Sequence, residues 1–191
     1  MKNVAIFASG SGTNAQAIIE HLGKNDLGRV SAIFCNNSNA YVLKRAKKYN
    51  IPYFVFDRDE FYKTTHIIDL LREKQTDFIV LAGFLWLIPE NMIHSFPDRI
   101  INIHPALLPK YGGKGMYGMR VHQAVIDNRE KESGITIHYV NKNYDEGNII
   151  FQAKCKVEPK DDAEKLAAKI HKLEHRHFPQ IVEELLANLD H

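Results

Sequence analysis

Val4-Ala5-Ile6-Phe7-Ala8-Ser9-Gly10-Ser11-Gly12-Thr13-Asn14-Ala15 is the stretch from which the rest of the chain can be read. A short continuous apolar run, Val4 to Ala8, followed at once by two Ser-Gly pairs, is the pattern of a buried parallel strand running into a tight turn. A helix is expected next. Thr13 or Asn14 can cap it, and Ala17, Ile18 and Leu22 recur at helical spacing as far as Gly23, which suits a stop.

The unit then repeats. A strand is predicted over Val30 to Cys35, a helix with a basic outer face over Ala40 to Tyr49, and a strand over Tyr53 to Phe56. A helix from about Asp59 to Glu73, a strand over Phe78 to Ala82, a short helix opened by Pro89 and a strand over Arg99 to Ile103 continue the alternation. Strands alternating with helices imply a parallel sheet with right-handed crossovers. Beyond Ile103 the pattern changes. The segment from His104 to Gly118 holds Pro105, Pro109 and four glycines, too long for a plain connection. A helix over Met119 to Asn128 precedes two alternating strands, Gly134 to Val140 and Asn148 to Val157, joined by the turn-like Asn143-Tyr144-Asp145-Glu146-Gly147. A long helix from Asp161 to Leu189 closes the chain, with Pro179 expected to kink or split it.

The fold class that follows is α/β: a Rossmann-like open twisted sheet, mostly parallel, with a C-terminal antiparallel strand extension and helices on both faces. No repeat or linker interrupts it, so residues 1–191 are expected to form a single domain. Its N-terminal half, about 1–100, would carry the phosphate-binding turn, and its second half, about 101–191, the chemistry.

Composition sets the outer bounds. Of 191 residues, 45% are hydrophobic and 25% charged, close to soluble globular averages, which excludes disordered and disulfide-scaffold classes. Lys and Arg number 25 against 23 Asp and Glu, too even a balance to suggest a nucleic-acid partner. Cys35 and Cys155 stand far apart without a CxxC, so neither a disulfide framework nor a cysteine metal site is expected. The start lacks a signal-peptide pattern, and the apolar stretch Phe78 to Ile88 is far shorter than the ~20 residues that span a bilayer. A cytoplasmic chain with no membrane partner is the expectation.

Two constellations could carry chemistry. Gly10-Ser11-Gly12-Thr13-Asn14-Ala15 is a GxGxxA turn between strand and helix, where free backbone N–H groups and the helix dipole suit a phosphate. A dinucleotide would want an acidic residue at the end of the second strand, where Cys35-Asn36-Asn37 stands instead, and no Gly-Lys-Ser/Thr follows for a Walker A loop. A monophosphate fits better. In Asn102-Ile103-His104-Pro105, the two-residue period turns Asn102 and His104 to one side at the end of a central strand, where ligands of open α/β sheets bind. Asp145 reaches His104 only if the later hairpin folds back over the rim. His171-Lys172-Leu173-Glu174-His175 matches the HxxEH of inverted zinc proteases, but a solvated helix face explains the spacing, and no metal is expected. No GxSxG elbow or catalytic cysteine setting points to covalent catalysis.

Several segments together resemble one family. Ser9-Gly10-Ser11-Gly12-Thr13-Asn14, Leu81-Ala82-Gly83-Phe84, Asn102-Ile103-His104-Pro105-Ala106-Leu107-Leu108-Pro109-Lys110-Tyr111, Gly134-Ile135-Thr136-Ile137-His138 and Asp145-Glu146-Gly147 are similar, in order, to the folate-dependent formyltransferases. The Asn-x-His-Pro and Asp pattern is shared across that family; the SGSGTN turn and the length direct the resemblance to members acting on glycinamide ribonucleotide. The resemblance implies a formyl transfer from the co-substrate 10-formyltetrahydrofolate to that amine in purine biosynthesis. It implies that Gly12, Thr13 and Asn14 hold the phosphate and that Glu174 contacts the ribose. Leu85, Trp86, Leu87 and Ile88 align with the pterin pocket, with Asn102 also facing the folate. Trp86 stands where some members carry Arg, and near Arg58-Asp59 the folate-side arginine is displaced or absent. The loop Gly112 to Gly118 is expected to act as a mobile lid. The oligomer is expected to be a monomer or a homodimer.

For such a reaction Asn102, His104 and Asp145 would be catalytic. A neutral amine attacks directly, Asn102 and a protonated His104 donate to the oxyanion, and Asp145 moves the proton to the leaving N10 through an ordered water. Asp145 would keep His104 cationic, since opposite charges ~4 Å apart attract by ~4 kcal/mol at an effective dielectric of ~20. Alternative readings are a formyltransferase acting on an amino sugar nucleotide and a nucleotide sensor without turnover.

Overall fold

The computed structural model describes residues 1–189. Seven strands form one sheet in the order β3-β2-β1-β4-β5-β6-β7, where β1 is Lys2–Ala8, β2 Gly28–Cys35, β3 Tyr53–Val55, β4 Phe78–Leu81, β5 Ile100–His104, β6 Glu132–Tyr139 and β7 Ile149–Lys156. The pairs from β3 through β5 are parallel, and β5–β6 and β6–β7 are antiparallel. The expected α/β architecture and its antiparallel extension are both present.

The alternation of β1 explains how one sheet carries two cores. Val4, Ile6 and Ala8 face one apolar layer with α1 (Thr13–Leu22), α2 (Val42–Lys48) and α7 (Ala163–Ala187), through residues such as Ile18, Val42, Ile170 and Phe178. Ala5 and Phe7 face the other, filled by Phe61 of α3 (Arg58–Lys63), Leu71 of α4 (His66–Glu73) and Met92 of α5 (Glu90–Ser95). The remaining helix, α6, spans Met119–Asp127 and sets Val125 into the first layer.

Three local expectations are corrected. The helix read over Asp59 to Glu73 is two helices, because Thr64 is extended (φ −128°, ψ 171°). Its hydroxyl donates to the Glu60 carbonyl at 2.8 Å and accepts from the His66 N–H at 3.1 Å, so a Thr side chain takes over the backbone's partners and ends one helix as it starts the next. Pro179 does not split α7, which runs unbroken through it; Phe178, Pro179, Ile181 and Val182 are all buried, and packing of that face outweighs the missing N–H. Neither Thr13 nor Asn14 caps α1. Gly12 occupies the N-cap in the left-handed region (φ 73°), and no side chain bonds the first-turn amides.

What matters for a site is the order around β1. The chain moves from β1 to β2 and β3 on one side, then returns to β4 on the other, so the connections leaving the carboxyl ends of β1 and β4 turn to opposite faces of the sheet and a crevice opens between them. The Ala82 N–H donates to the Phe7 carbonyl at 2.9 Å and the Ser9 N–H to the Gly83 carbonyl at 3.0 Å, which ties the two rims together. Phe84 then packs edge-on against Phe7 and Phe61, with ring centres 5.4 and 5.5 Å apart. Such pairs contribute roughly 0.5–1.5 kcal/mol each, enough to hold the β4 rim in place.

Candidate active site

The phosphate-type turn is shaped from behind by α2. A Cβ on Gly12 would lie 2.5 Å from Val42 Cγ2, so with its positive φ this position admits glycine alone. The Val42 N–H donates to the Gly10 carbonyl at 3.1 Å, and Arg45 Nε donates to the Ser11 carbonyl at 2.8 Å. With these carbonyls held toward α2, and with no side-chain cap on α1, the amides of the helix start stay unclaimed on the crevice side. Asn14 Nδ2 donates to Glu174 Oε2 at 3.0 Å, an oxygen that also lies 3.0 Å from His171 Nδ1. This bond raises the His171 pKa. Among the described residues no group of three or more candidate metal ligands assembles.

At the other end of the crevice, β5 delivers Asn102 and His104 beside β6, whose register sets His138 opposite Asn102. The connection between β6 and β7 folds back over this rim, as the reading of Asp145 required. Asp145 Oδ2 lies 3.5 Å from His104 Nδ1, and Oδ1 lies 3.5 Å from His138 Nε2. Asn102 Nδ2 lies 3.1 Å from His138 Nε2 and donates to Asp145 Oδ1 at 3.4 Å. The fold-back is tight: a Cβ on Gly147 would stand 1.7 Å from the Tyr139 carbonyl oxygen.

The long loop after β5 supplies backbone to the same cluster. His104 Nε2–H donates to the Tyr111 carbonyl at 2.7 Å, and the Gly113 N–H donates to Asp145 Oδ2 at 3.0 Å. Thr136 on β6 anchors the loop's start, donating to the Ala106 carbonyl at 2.7 Å while accepting from the Leu108 N–H at 3.0 Å.

Burial works against the charge of Asp145, but bonding from His138, the nearby His104 and the Gly113 N–H outweigh it and hold its carboxyl below the usual carboxylate range. For His104 the balance falls the other way. Only 4% of the residue is exposed, and desolvation pushes the imidazole below its ordinary pKa despite the Asp145 carboxylate and the Tyr111 carbonyl. The expected cationic His104 is therefore corrected to a neutral ring in the free protein. A bond to Tyr111 fixes the proton on Nε2 and leaves the Nδ1 lone pair facing Asp145.

Gly12, Thr13, Asn14, Asn102, His104, Asp145 and Glu174 all border one cleft of about 560 Å³. Of the segment aligned with a pterin pocket, Leu85 reaches this cleft and is 46% exposed. Trp86 packs instead among Phe56, Phe61, Phe84 and Tyr62, beneath the Arg58 guanidinium 5.3 Å from its ring centre, and borders a neighbouring cavity. The Leu87 carbonyl accepts from the Tyr62 hydroxyl at 2.9 Å, and Ile88 is buried in the second core. Sequence reasoning missed His138, Arg45 and the two loop backbone groups as parts of the site. Period-two alternation marks His138 as facing one side of β6, but its place opposite Asn102 depends on register.

A family profile described as formyl transferase matches residues 2–182. The chain is 38% identical over 187 residues to a chloroplastic phosphoribosylglycinamide formyltransferase of Arabidopsis thaliana, an alignment covering 95% of this chain and 64% of that one. Against the chloroplastic Vigna unguiculata enzyme the identity is 41%, over 96% of this chain and 61% of the relative, so the chain spans a little over three-fifths of both plant proteins. The Bacillus subtilis phosphoribosylglycinamide formyltransferase is 35% identical, with 97% and 95% covered. In three dimensions, the crystal structure of phosphoribosylglycinamide formyltransferase from Bacillus halodurans superposes with a TM-score of 0.88 at 38% identity, covering 97% of this chain and 95% of that one.

Proposed function

Since the chain belongs to the formyl transferase family, we propose that it transfers the formyl group of 10-formyltetrahydrofolate to the amine of glycinamide ribonucleotide, in purine biosynthesis. The observation that carries this reading is the single cleft with a phosphate-type turn at one end and the Asn102–His104–Asp145 cluster at the other. The relatives reported above are named phosphoribosylglycinamide formyltransferases, and none is named for an amino sugar nucleotide, so the latter substrate is set aside.

In this reading the turn from Gly12 through Asn14 grips the phosphate and Glu174 faces the ribose. The amine then points toward β5, while Leu85 and the adjoining rim face the folate. Holding two substrates in line can contribute ~7–11 kcal/mol toward the barrier in well-oriented cases. The free amine attacks the formyl carbon and forms a tetrahedral intermediate. Asn102 Nδ2 leaves its long 3.4 Å contact with Asp145 and donates to the oxyanion. The proton lost by the amine passes to Asp145 and on to the departing N10 as the C–N10 bond breaks. His104 starts neutral, and its Nδ1, 3.5 Å from Asp145, is where that proton rests while the oxyanion stands. The resulting imidazolium stabilises the negative charge beside it.

Among the described residues no helix is long and apolar enough to cross a membrane. Cytosolic placement is part of the proposal and fits two unpaired cysteines, one of them buried. The test is a two-substrate assay. Formylation of glycinamide ribonucleotide, with tetrahydrofolate released in equal amount, is expected; formylation of an amino sugar nucleotide alone would overturn the reading.

A further inference from the structure

Three histidines are buried among the described residues: His104, His122 and His138. Two of them are tied down. His104 meets the Tyr111 carbonyl and Asp145, and His138 meets the Tyr139 carbonyl, Asn102 and Asp145. His122, in the second half-turn of α6, is different: 2% of it is exposed, and its Nδ1 is shielded from solvent without a hydrogen-bond partner. A polar atom buried in this way is disfavoured relative to carbon of the same shape, and native interiors seldom keep one without a use.

The position supplies a use. His122 borders the same cleft as His171, Glu174 and His104. The ring thus shares the cleft with Glu174, on the proposed sugar side, and with His104, on the reacting side. Burial, the largest influence on it, keeps the imidazole neutral, so it presents one N–H and one lone pair. That suits a neutral partner that can both give and take a hydrogen bond. The phosphate has its turn and the amine has the β5 cluster; the groups left between them are the sugar hydroxyls.

We propose that His122 is a substrate-binding residue whose imidazole hydrogen-bonds a ring hydroxyl of the aminonucleotide's ribose, completing with Asn14 and Glu174 a polar socket for the sugar. The inference deepens the reading of the cleft as an aminonucleotide site and rests on it. On this view His122 contributes to recognition and leaves the formyl transfer step alone.

The test uses simple probes. Ribose 5-phosphate and inorganic phosphate are titrated calorimetrically into the wild-type protein, His122→Phe and His122→Gln. The expected result is that His122→Phe loses about tenfold in affinity for ribose 5-phosphate, the equivalent of one hydrogen bond, and keeps that for phosphate. His122→Gln, which retains a polar end, recovers part of the loss. Melting of His122→Phe no lower than wild type is expected, because carbon replaces an unpaired nitrogen. In steady-state kinetics the KM for glycinamide ribonucleotide rises while kcat and the KM for 10-formyltetrahydrofolate hold. Unchanged binding of both probes, equal weakening of both, or a wild-type protein that binds ribose 5-phosphate no better than phosphate would each overturn the proposal. Formylation by the wild type reads the proposed function separately, since the sugar-phosphate titration needs no turnover.

Discussion

Asp145 Oδ2 and His104 Nδ1 face each other across 3.5 Å, with the ring's other nitrogen already donating to the Tyr111 carbonyl. In the free protein this is a carboxylate beside a lone pair. The pair gains a hydrogen bond only when His104 takes a second proton, so the arrangement waits for the charge that a tetrahedral intermediate brings.

Asp145→Asn removes both the proton carrier and the charge that supports a cationic His104. Turnover is expected to fall at least ~10-fold, with folate binding little changed, because each 1.36 kcal/mol of barrier is a factor of ten. Since Asp145 raises the His104 pKa, the same substitution should lower it further. Steady-state kinetics and an NMR titration of the ring check the two halves; normal turnover would count against the mechanism.

Asn102→Ala takes away an oxyanion donor. Loss of one such donor typically costs ~2.7–4 kcal/mol, so kcat should drop by roughly 10²–10³ while both KM values move little. A rise in KM with unchanged kcat would mean that Asn102 binds ground state and transition state alike.

Gly12→Ala adds a Cβ at 2.5 Å from Val42 Cγ2 at a residue with φ 73°. The clash should cost about 1–3 kcal/mol of stability and raise the KM for glycinamide ribonucleotide. Gly10→Ala is the control, because a Cβ there meets nothing within 4 Å. Thermal melts of the two variants should separate clearly, and equal melting would refute the role given to the turn's backbone.

Thr136→Val leaves the Ala106 carbonyl and the Leu108 N–H without their partner, in a place closed to water. A loss of about 1–3 kcal/mol is expected, together with lower kcat, since the same loop bonds His104 and Asp145. Thr136→Ser keeps the hydroxyl and should restore both readouts.

Acidification should destabilise the fold before any carboxylate titrates. His104 and His122 have folded pKa values below their ordinary one, so the unfolded chain binds more protons as the pH falls below ~6.5, and stability is lost there. His171 opposes this, its pKa being raised, but its side chain is half exposed and contributes less. Melting temperatures should decline as the pH falls from about 6.5 to about 5.5, with a shallower slope for His122→Phe; a flat profile across that window would contradict the burial argument.

The alternation of apolar runs with helical periodicity is local information, so the strand and helix order, the parallel sheet and the antiparallel tail were legible along the chain. The Gly10–Asn14 turn and the Asn102–His104 pair were legible for the same reason, each being a few consecutive residues whose spacing states its geometry. Other features were decided elsewhere. Whether Asp145 meets His104, and that His138 stands opposite Asn102, depends on strand register and on a hairpin folding back, and these are set by packing across distant segments. That Thr64 ends a helix while Pro179 does not is a contest between local preference and burial, which only the assembled core resolves. The charge on His104 belongs to the same class: the neighbouring carboxylate could be guessed from its motif, but the desolvation that overrides it exists only once the loop from Pro105 to Gly118 has closed over the ring.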